Sequence, residues 1–328
     1  MLNRSRTYLS VACCGLITVA CILALNSTVL SPSLLTNRPT PTHKQLYDVI
    51  SPSTYRYILN QPELCERKIP PFLILMIPVT LEDTEARTAI RRTWGQENLI
   101  PHVNILRLFV IGQPTQSNPA LQEHLERESK EYGDIIQMDF VDTYQNLTIK
   151  TMMIMHWIAT YCQCAWYAMK IDADIFLNVP YLVDYLHAQG KSSRQDYITG
   201  SVIKNGHPHR NSLNKWYLSE DLYPDTLYPP YLSGAAYVFS SDLARKISLA
   251  SRFVRPIPLE DVYVGLCLHF LGVSPVYSSR FLGLVNRFEI RKLRYERCSF
   301  AKRIIVNGFK PHDLLYIWHD FQNSHFTC

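Results

Sequence analysis

Residues 166–178 read WYAMKIDADIFLN: an apolar run, two aspartates around one alanine, then a second apolar run. The first part, Trp166 to Ile171, predicts a strand that runs straight into Asp172-Ala173-Asp174. Two acids flanking a small residue at a strand's end suit a hard cation beside phosphate oxygens, since carboxylate rather than thiolate is the ligand for Mg²⁺ or Mn²⁺. Taken alone, the triplet reads equally well as a solvated turn.

Outward from this stretch, helical and strand patterns alternate. Pro71 opens a continuous apolar run, FLILMIPVT, the mark of a strand buried on both faces. Glu82–Trp94 predicts a helix with Arg87 and Arg91 one turn apart. Val103–Ile111 predicts a strand, Pro119–Tyr132 a polar amphipathic helix, and Asp134–Phe140 another strand. Leu147–Tyr161 is apolar almost all round and predicts a helix inside the core. The alternation implies an α/β fold with a mainly parallel central sheet flanked by helices. In such sheets ligands bind past the carboxyl ends of the strands, where the aspartates fall.

Ahead of this domain the composition changes twice. Tyr8–Leu25 is uncharged and follows Arg4 and Arg6, which predicts one transmembrane helix with its N-terminus in the cytosol. A cleaved signal peptide is the alternative. Residues 29–69 hold Pro32, Pro39, Pro41, Pro52 and Pro62 among Ser, Thr and Asn, as an extended stem does. The expected layout is a tail over 1–7, an anchor over 8–28, the stem over 29–69 and a luminal domain over 70–328. Six cysteines lie beyond the anchor: Cys65, Cys162, Cys164, Cys267, Cys298 and Cys328. In an oxidising compartment an even set suggests disulfides, with pairing left open. Cys162-x-Cys164 is too tight for a zinc site. Asn146-Leu-Thr148 is a glycosylation sequon. A formal charge of +5 with no basic block argues against nucleic acid as a partner.

Other segments carry candidate chemistry. Arg87 and Arg91 present forks that suit diphosphate oxygens, or line a partly solvated helix face. Tyr228-Pro-Pro-Tyr231-Leu-Ser-Gly234-Ala-Ala-Tyr237 sets rings and small residues together, suited to a sugar face or to a buried turn and strand. Glu260-Asp261 precedes an apolar stretch. The pair either caps a helix or supplies a general base.

Together these segments resemble one family. Arg91-Arg-Thr-Trp-Gly95, Asn146-Leu-Thr-Ile-Lys150-Thr151, Lys170-Ile-Asp-Ala-Asp-Ile-Phe-Leu-Asn178, Tyr228-Pro-Pro-Tyr-Leu-Ser-Gly234 and Glu260-Asp-Val-Tyr-Val-Gly265 occur in the order seen in β1,3-galactosyltransferases and β1,3-N-acetylglucosaminyltransferases. The resemblance covers about Pro70 to Cys328. It implies a GT-A fold, a Golgi membrane location and inverting transfer from a UDP-sugar, UDP-galactose before UDP-N-acetylglucosamine, to a glycan acceptor on glycoprotein or glycolipid. Mn²⁺ (or Mg²⁺) is the implied cofactor, on Asp174 with Asp172. Arg87, Arg91, Lys150, Asp172 and Asp174 are expected on the donor, and Tyr231, Gly234, Tyr237 and Glu260 on the acceptor. Asp261 is the expected base, with Glu260 beside it, and a homodimer is the candidate assembly. Two positions depart from the pattern. Leu232 replaces a cysteine, and Asn307 stands where relatives carry a histidine metal ligand. A neutral amide oxygen suits Mn²⁺ less well than imidazole, so a non-catalytic glycan-binding or partner protein of the same fold is the rival reading.

Overall fold

A computed structural model describes residues 54–66, 69–190, 195–281, 295–323 and 328, all within a compact unit spanning Leu46–Cys328. The proposed anchor lies outside the described residues; among those described, no helix is long and apolar enough to cross a membrane. In chain order the strands are β1 (Tyr57–Leu59), β2 (Leu73–Pro78), β3 (Ile105–Gln113), β4 (Ile135–Val141), β5 (Tyr167–Ile171), β6 (Ile175–Leu177), β7 (Ile198–Ile203), β8 (Tyr231–Ser240), β9 (Val276–Tyr277) and β10 (Ile305–Asn307). The helices are α1 (Thr84–Arg91), α2 (Pro119–Tyr132), α3 (Leu147–Tyr161), α4 (Val179–Ala188), α5 (Ser241–Ala250), α6 (Glu260–Leu271), α7 (Arg297–Ala301) and α8 (Pro311–Gln322).

The main sheet has the order β1-β4-β3-β2-β5-β8-β7-β9. Strands β4, β3, β2 and β5 run parallel, and β8 turns antiparallel against β5. The apolar run of β2 explains its central place. Ile74 and Met76 enter the core layer that holds α3, α5 and α6, while Leu73, Leu75 and Ile77 enter the opposite layer with α4, Phe300 and Trp318. All five are fully buried, so period-two alternation cannot show in hydropathy. Helix α2 starts on the Asn118 side chain, which accepts from the Leu121 amide at 3.2 Å, and stops at Gly133 with φ +62°, a left-handed conformation that glycine adopts without Cβ strain.

The folded part begins earlier than the expected boundary at residue 70. Strand β1 pairs with β4, and Cys65 is bridged to Cys162 with Cα atoms 5.2 Å apart. A three-residue edge strand leaves too short a pattern to separate from proline-rich linker. A second bridge joins Cys298 to Cys328, whereas Cys164 and Cys267 remain thiols.

Candidate active site

The acids expected to act together meet at the carboxyl end of β5. Lys170, the penultimate residue of that strand, is buried at 4% exposure. Its Nζ donates to Asp172 Oδ1 at 2.7 Å and to the Gly234 carbonyl. It also lies 3.1 Å from Glu260 Oε1, close enough for an ion pair though not aligned as a hydrogen bond. Burial works against the Lys170 charge, but the two carboxylates outweigh it and raise its pKa. An ammonium so placed neutralises two acids that would otherwise repel each other.

Helix α6 opens with Glu260 and Asp261, and its N-cap, Leu259, contributes no side-chain bond. Asp261 Oδ1 accepts from the Val262 amide at 2.8 Å, which serves the helix end, while Oδ2 accepts from the Gly234 amide at 3.3 Å. Glu260 turns inward. Its Oε2 accepts from Thr151 Oγ1 at 3.1 Å and Tyr237 Oη at 3.4 Å. Burial raises the Glu260 pKa to about 7; Lys170 opposes the shift and Asp261 and Asp172 add to it. Gly234 permits this approach: a Cβ there would sit 2.7 Å from Glu260 Oε1.

Asp174 lies one step outside that cluster. Its carbonyl accepts from the amides of Gly308 and Phe309 at 3.0 and 2.9 Å, which ties the end of β10 to the triplet. Within the ladder, Asn307 pairs with Ile175. The Asn307 Oδ1 atom is buried without a hydrogen-bond partner, an arrangement that costs free energy unless something supplies a positive charge or donor. The Asp174 pKa is raised by loss of solvent and by Asp172, against the pull of a backbone hydrogen bond and Lys170. Among the described residues no three His, Cys, Asp or Glu converge on one metal position. Asp172, Asp174 and the unpartnered Asn307 oxygen are the hard oxygen donors near this strand end, the ligand type that suits a hard cation.

Several expected residues stand elsewhere. All five N–H donors of Arg87 are used within the protein, by both Glu128 oxygens, the Thr80 and Leu81 carbonyls and Thr84 Oγ1. Arg91 grips Asp134 with two bonds of 2.8 and 2.7 Å and reaches Glu128 at 2.6 Å. Arg107 joins the same Asp134 at 2.8 Å. This network locks α1 to α2 and β3, so Arg87 and Arg91 hold the fold rather than a diphosphate. Lys150 is buried and donates to Asp142 Oδ2 at 2.6 Å and to the Val79 carbonyl at 2.8 Å. Burial lowers its pKa against the pull of Asp142. Tyr237 is fully buried and Tyr231 nearly so; Tyr237 supports Glu260, and neither offers its ring face to a ligand. Asn146 precedes α3 and its Nδ2 donates to the Val141 carbonyl at 2.8 Å.

Two participants were missed by sequence reasoning. Lys170 is the one charge inside the apolar run before the aspartates, and that anomaly is the signal that marks it. Thr151, 109 residues from Glu260 in the chain, gives no local signal. A cavity of about 640 Å³ lined by Trp94, Arg107, Tyr132 and Asp134 lies by the amino ends of the strands. Asp172, Asp174, Glu260 and Asp261 are not among its lining residues.

Comparison with known proteins gives the cluster a context. The galactosyltransferase family profile matches residues 85–279. Beta-1,3-galactosyltransferase 2 of Mus musculus is 44% identical over 277 residues, 84% of this chain and 64% of that protein. Beta-1,3-galactosyltransferase 1 of Mus musculus is 42% identical over 280 residues, 85% of this chain and 82% of that protein. This chain thus spans less than two thirds of the first relative's length. Among solved structures, the WbbM bifunctional glycosyltransferase in its apo form aligns at TM-score 0.42 and 9% identity, over 79% of this chain and 51% of that one, a likeness too slight to argue from.

Proposed function

This chain belongs to the galactosyltransferase family, and from that premise we propose that it transfers galactose from UDP-galactose in β1,3 linkage to a glycan acceptor, by inverting single displacement on a GT-A fold. The carrying observation is the placement of Asp261 and Glu260 against Gly234 and Lys170, at the strand end where the Asp172–Asp174 triplet also lies.

In this reading Asp261 takes the proton from the attacking acceptor hydroxyl. Its position on the first turn of α6, with Oδ2 on the Gly234 amide, fixes the orientation of the carboxylate. Glu260 is buried behind it and acts as a positioning residue, fixing Lys170, Thr151 and Tyr237. Lys170 keeps Asp172 in place at the donor side. Asp174, Asp172 and Asn307 would hold Mn²⁺ or Mg²⁺, and a bound cation would neutralise the diphosphate of the donor.

Location is part of the proposal. The uncharged run Tyr8–Leu25 with Arg4 and Arg6 before it supports a type II anchor in the Golgi membrane with this domain in the lumen, and Asn146 as a glycan site. Degradation of the C-terminal domain by protease added to sealed microsomes would refute that topology. The catalytic reading is tested by UDP release from the purified luminal domain, with UDP-galactose and UDP-N-acetylglucosamine compared against a panel of glycosides. Release that is acceptor-dependent with UDP-galactose supports it, and UDP-N-acetylglucosamine preference would move the donor assignment. No release with either donor would favour a non-catalytic glycan-binding role.

A further inference from the structure

We propose that the exposed rings of Trp216 and Tyr144 form a second sugar subsite, which takes the penultimate residue of the acceptor glycan. The inference rests on the galactosyltransferase reading and names residues which that reading left unassigned.

The chain between β7 and β8 forms a long loop, residues 204–230. Leu218, Tyr223 and Tyr228 anchor it in the core, and polar contacts pin the rest. Arg210 donates to the carbonyls of Leu218, Tyr223 and Asp225 at 2.7, 2.7 and 3.0 Å, and the Tyr228 amide closes on the Gly206 carbonyl at 2.8 Å. The loop reaches Tyr144, where Trp216 Nε1 donates to Tyr144 Oη at 3.0 Å. Lys215 Nζ stands 4.1 Å from the Tyr144 ring centre, and the His209 ring lies 5.8 Å from Trp216 at 35°. Both large rings are nevertheless wet, each 39% exposed.

Rings held in one place by their polar edges but left in water are an unusual use of apolar surface. Their exposed area gains free energy only when a ligand covers it, and two-torsion side chains already fixed lose little entropy on binding. A pyranose presents what such rings take: an apolar C–H face with hydroxyls around its edge, for which Lys215 and His209 supply polar partners.

The platform also stands at the correct end of the molecule. Tyr144 follows β4 at its carboxyl end and begins the turn into α3. In the first turn of that helix Thr148 Oγ1 bonds the Ile257 carbonyl at 2.7 Å, and Thr151 holds Glu260. Tyr144 thus leads into the helix whose Thr151 holds Glu260, the neighbour of Asp261, which ties the proposed subsite to the acid cluster through α3.

The test compares wild type, Trp216→Ala and Trp216→Phe on a disaccharide and a monosaccharide β-glycoside of the same terminal sugar. Trp216→Ala should raise the disaccharide KM about tenfold, the scale of one aromatic contact. Monosaccharide KM and UDP affinity should stay within about twofold, with Trp216→Phe recovering part of the loss. Equal shifts for both acceptors would overturn the subsite. If wild type transfers to neither, the galactosyltransferase reading fails. Saturation-transfer NMR of the disaccharide with folded wild type and Trp216→Ala then decides the subsite alone. A signal from the penultimate sugar that is present with wild type and disappears with the variant sustains it. The same signal with both proteins, or none with wild type, sinks it.

Discussion

Lys170 Nζ lies 3.1 Å from Glu260 Oε1, and through this contact a strand and a helix 90 residues apart in the chain share one buried charge centre. The same ammonium holds Asp172 at 2.7 Å, so the strand-end triplet and the start of α6 are electrostatically joined. Replacing it by Lys170→Met keeps the aliphatic side chain but leaves Glu260 and Asp172 without their cation. Breaking a buried pair in this way costs about 3–5 kcal/mol. A melting temperature equal to that of wild type would show that the pair contributes nothing.

Asp261→Asn retains size and most hydrogen bonding but cannot accept a proton at neutral pH. Turnover should fall about 10²–10⁴-fold, with UDP affinity unchanged. The decisive result against the assignment is near-normal turnover in Asp261→Asn together with its loss in Glu260→Gln.

Glu260 makes a pH-dependent contribution whose sign follows from its raised pKa. Its ordinary value is 4.5 and burial lifts it to about 7 in the fold. Between those values the folded state binds more protons than the unfolded one, so stability falls as pH rises from about 4.5 to about 7. Thermal melts of wild type across this window should show that slope, and Glu260→Gln should remove it. A slope unaltered by the substitution would assign it to other groups.

Arg87→Ala separates structure from ligand binding. It leaves Glu128, 6% exposed, short of its bidentate partner at 2.9 and 2.8 Å. Chemical denaturation should report a loss of about 3–5 kcal/mol, while UDP titration of the folded variant gives the wild-type affinity. Weakened UDP binding with stability intact would return Arg87 to the donor site.

Asn307→His tests the orphaned oxygen beside Asp174. An imidazole at that position should tighten Mn²⁺ by about 10–100-fold, read by metal titration of UDP binding and independently by the rise in melting temperature with added Mn²⁺. Identical midpoints in both variants would place Asn307 outside any metal site.

What the sequence determined is what local pattern carries. Strand β5 and the aspartates after it, the largely buried α3, and the helix-strand alternation with its parallel sheet follow from residues that are neighbours in the chain, because hydropathy runs and periodicity are local quantities. Tertiary structure alone decided which charges are spent. Arg87 and Glu128 are 41 positions apart and Arg91 and Asp134 are 43 apart; nothing local distinguishes an arginine with a buried partner from one facing a ligand. Lys170 and Tyr237 were visible as residues, but their work on Glu260 exists only because β8 lies against β5 and Gly234 lets α6 close on both. A charge takes its role from what stands within a few ångströms of it, and in a sheet with crossovers those neighbours are chosen by strand order rather than by sequence distance.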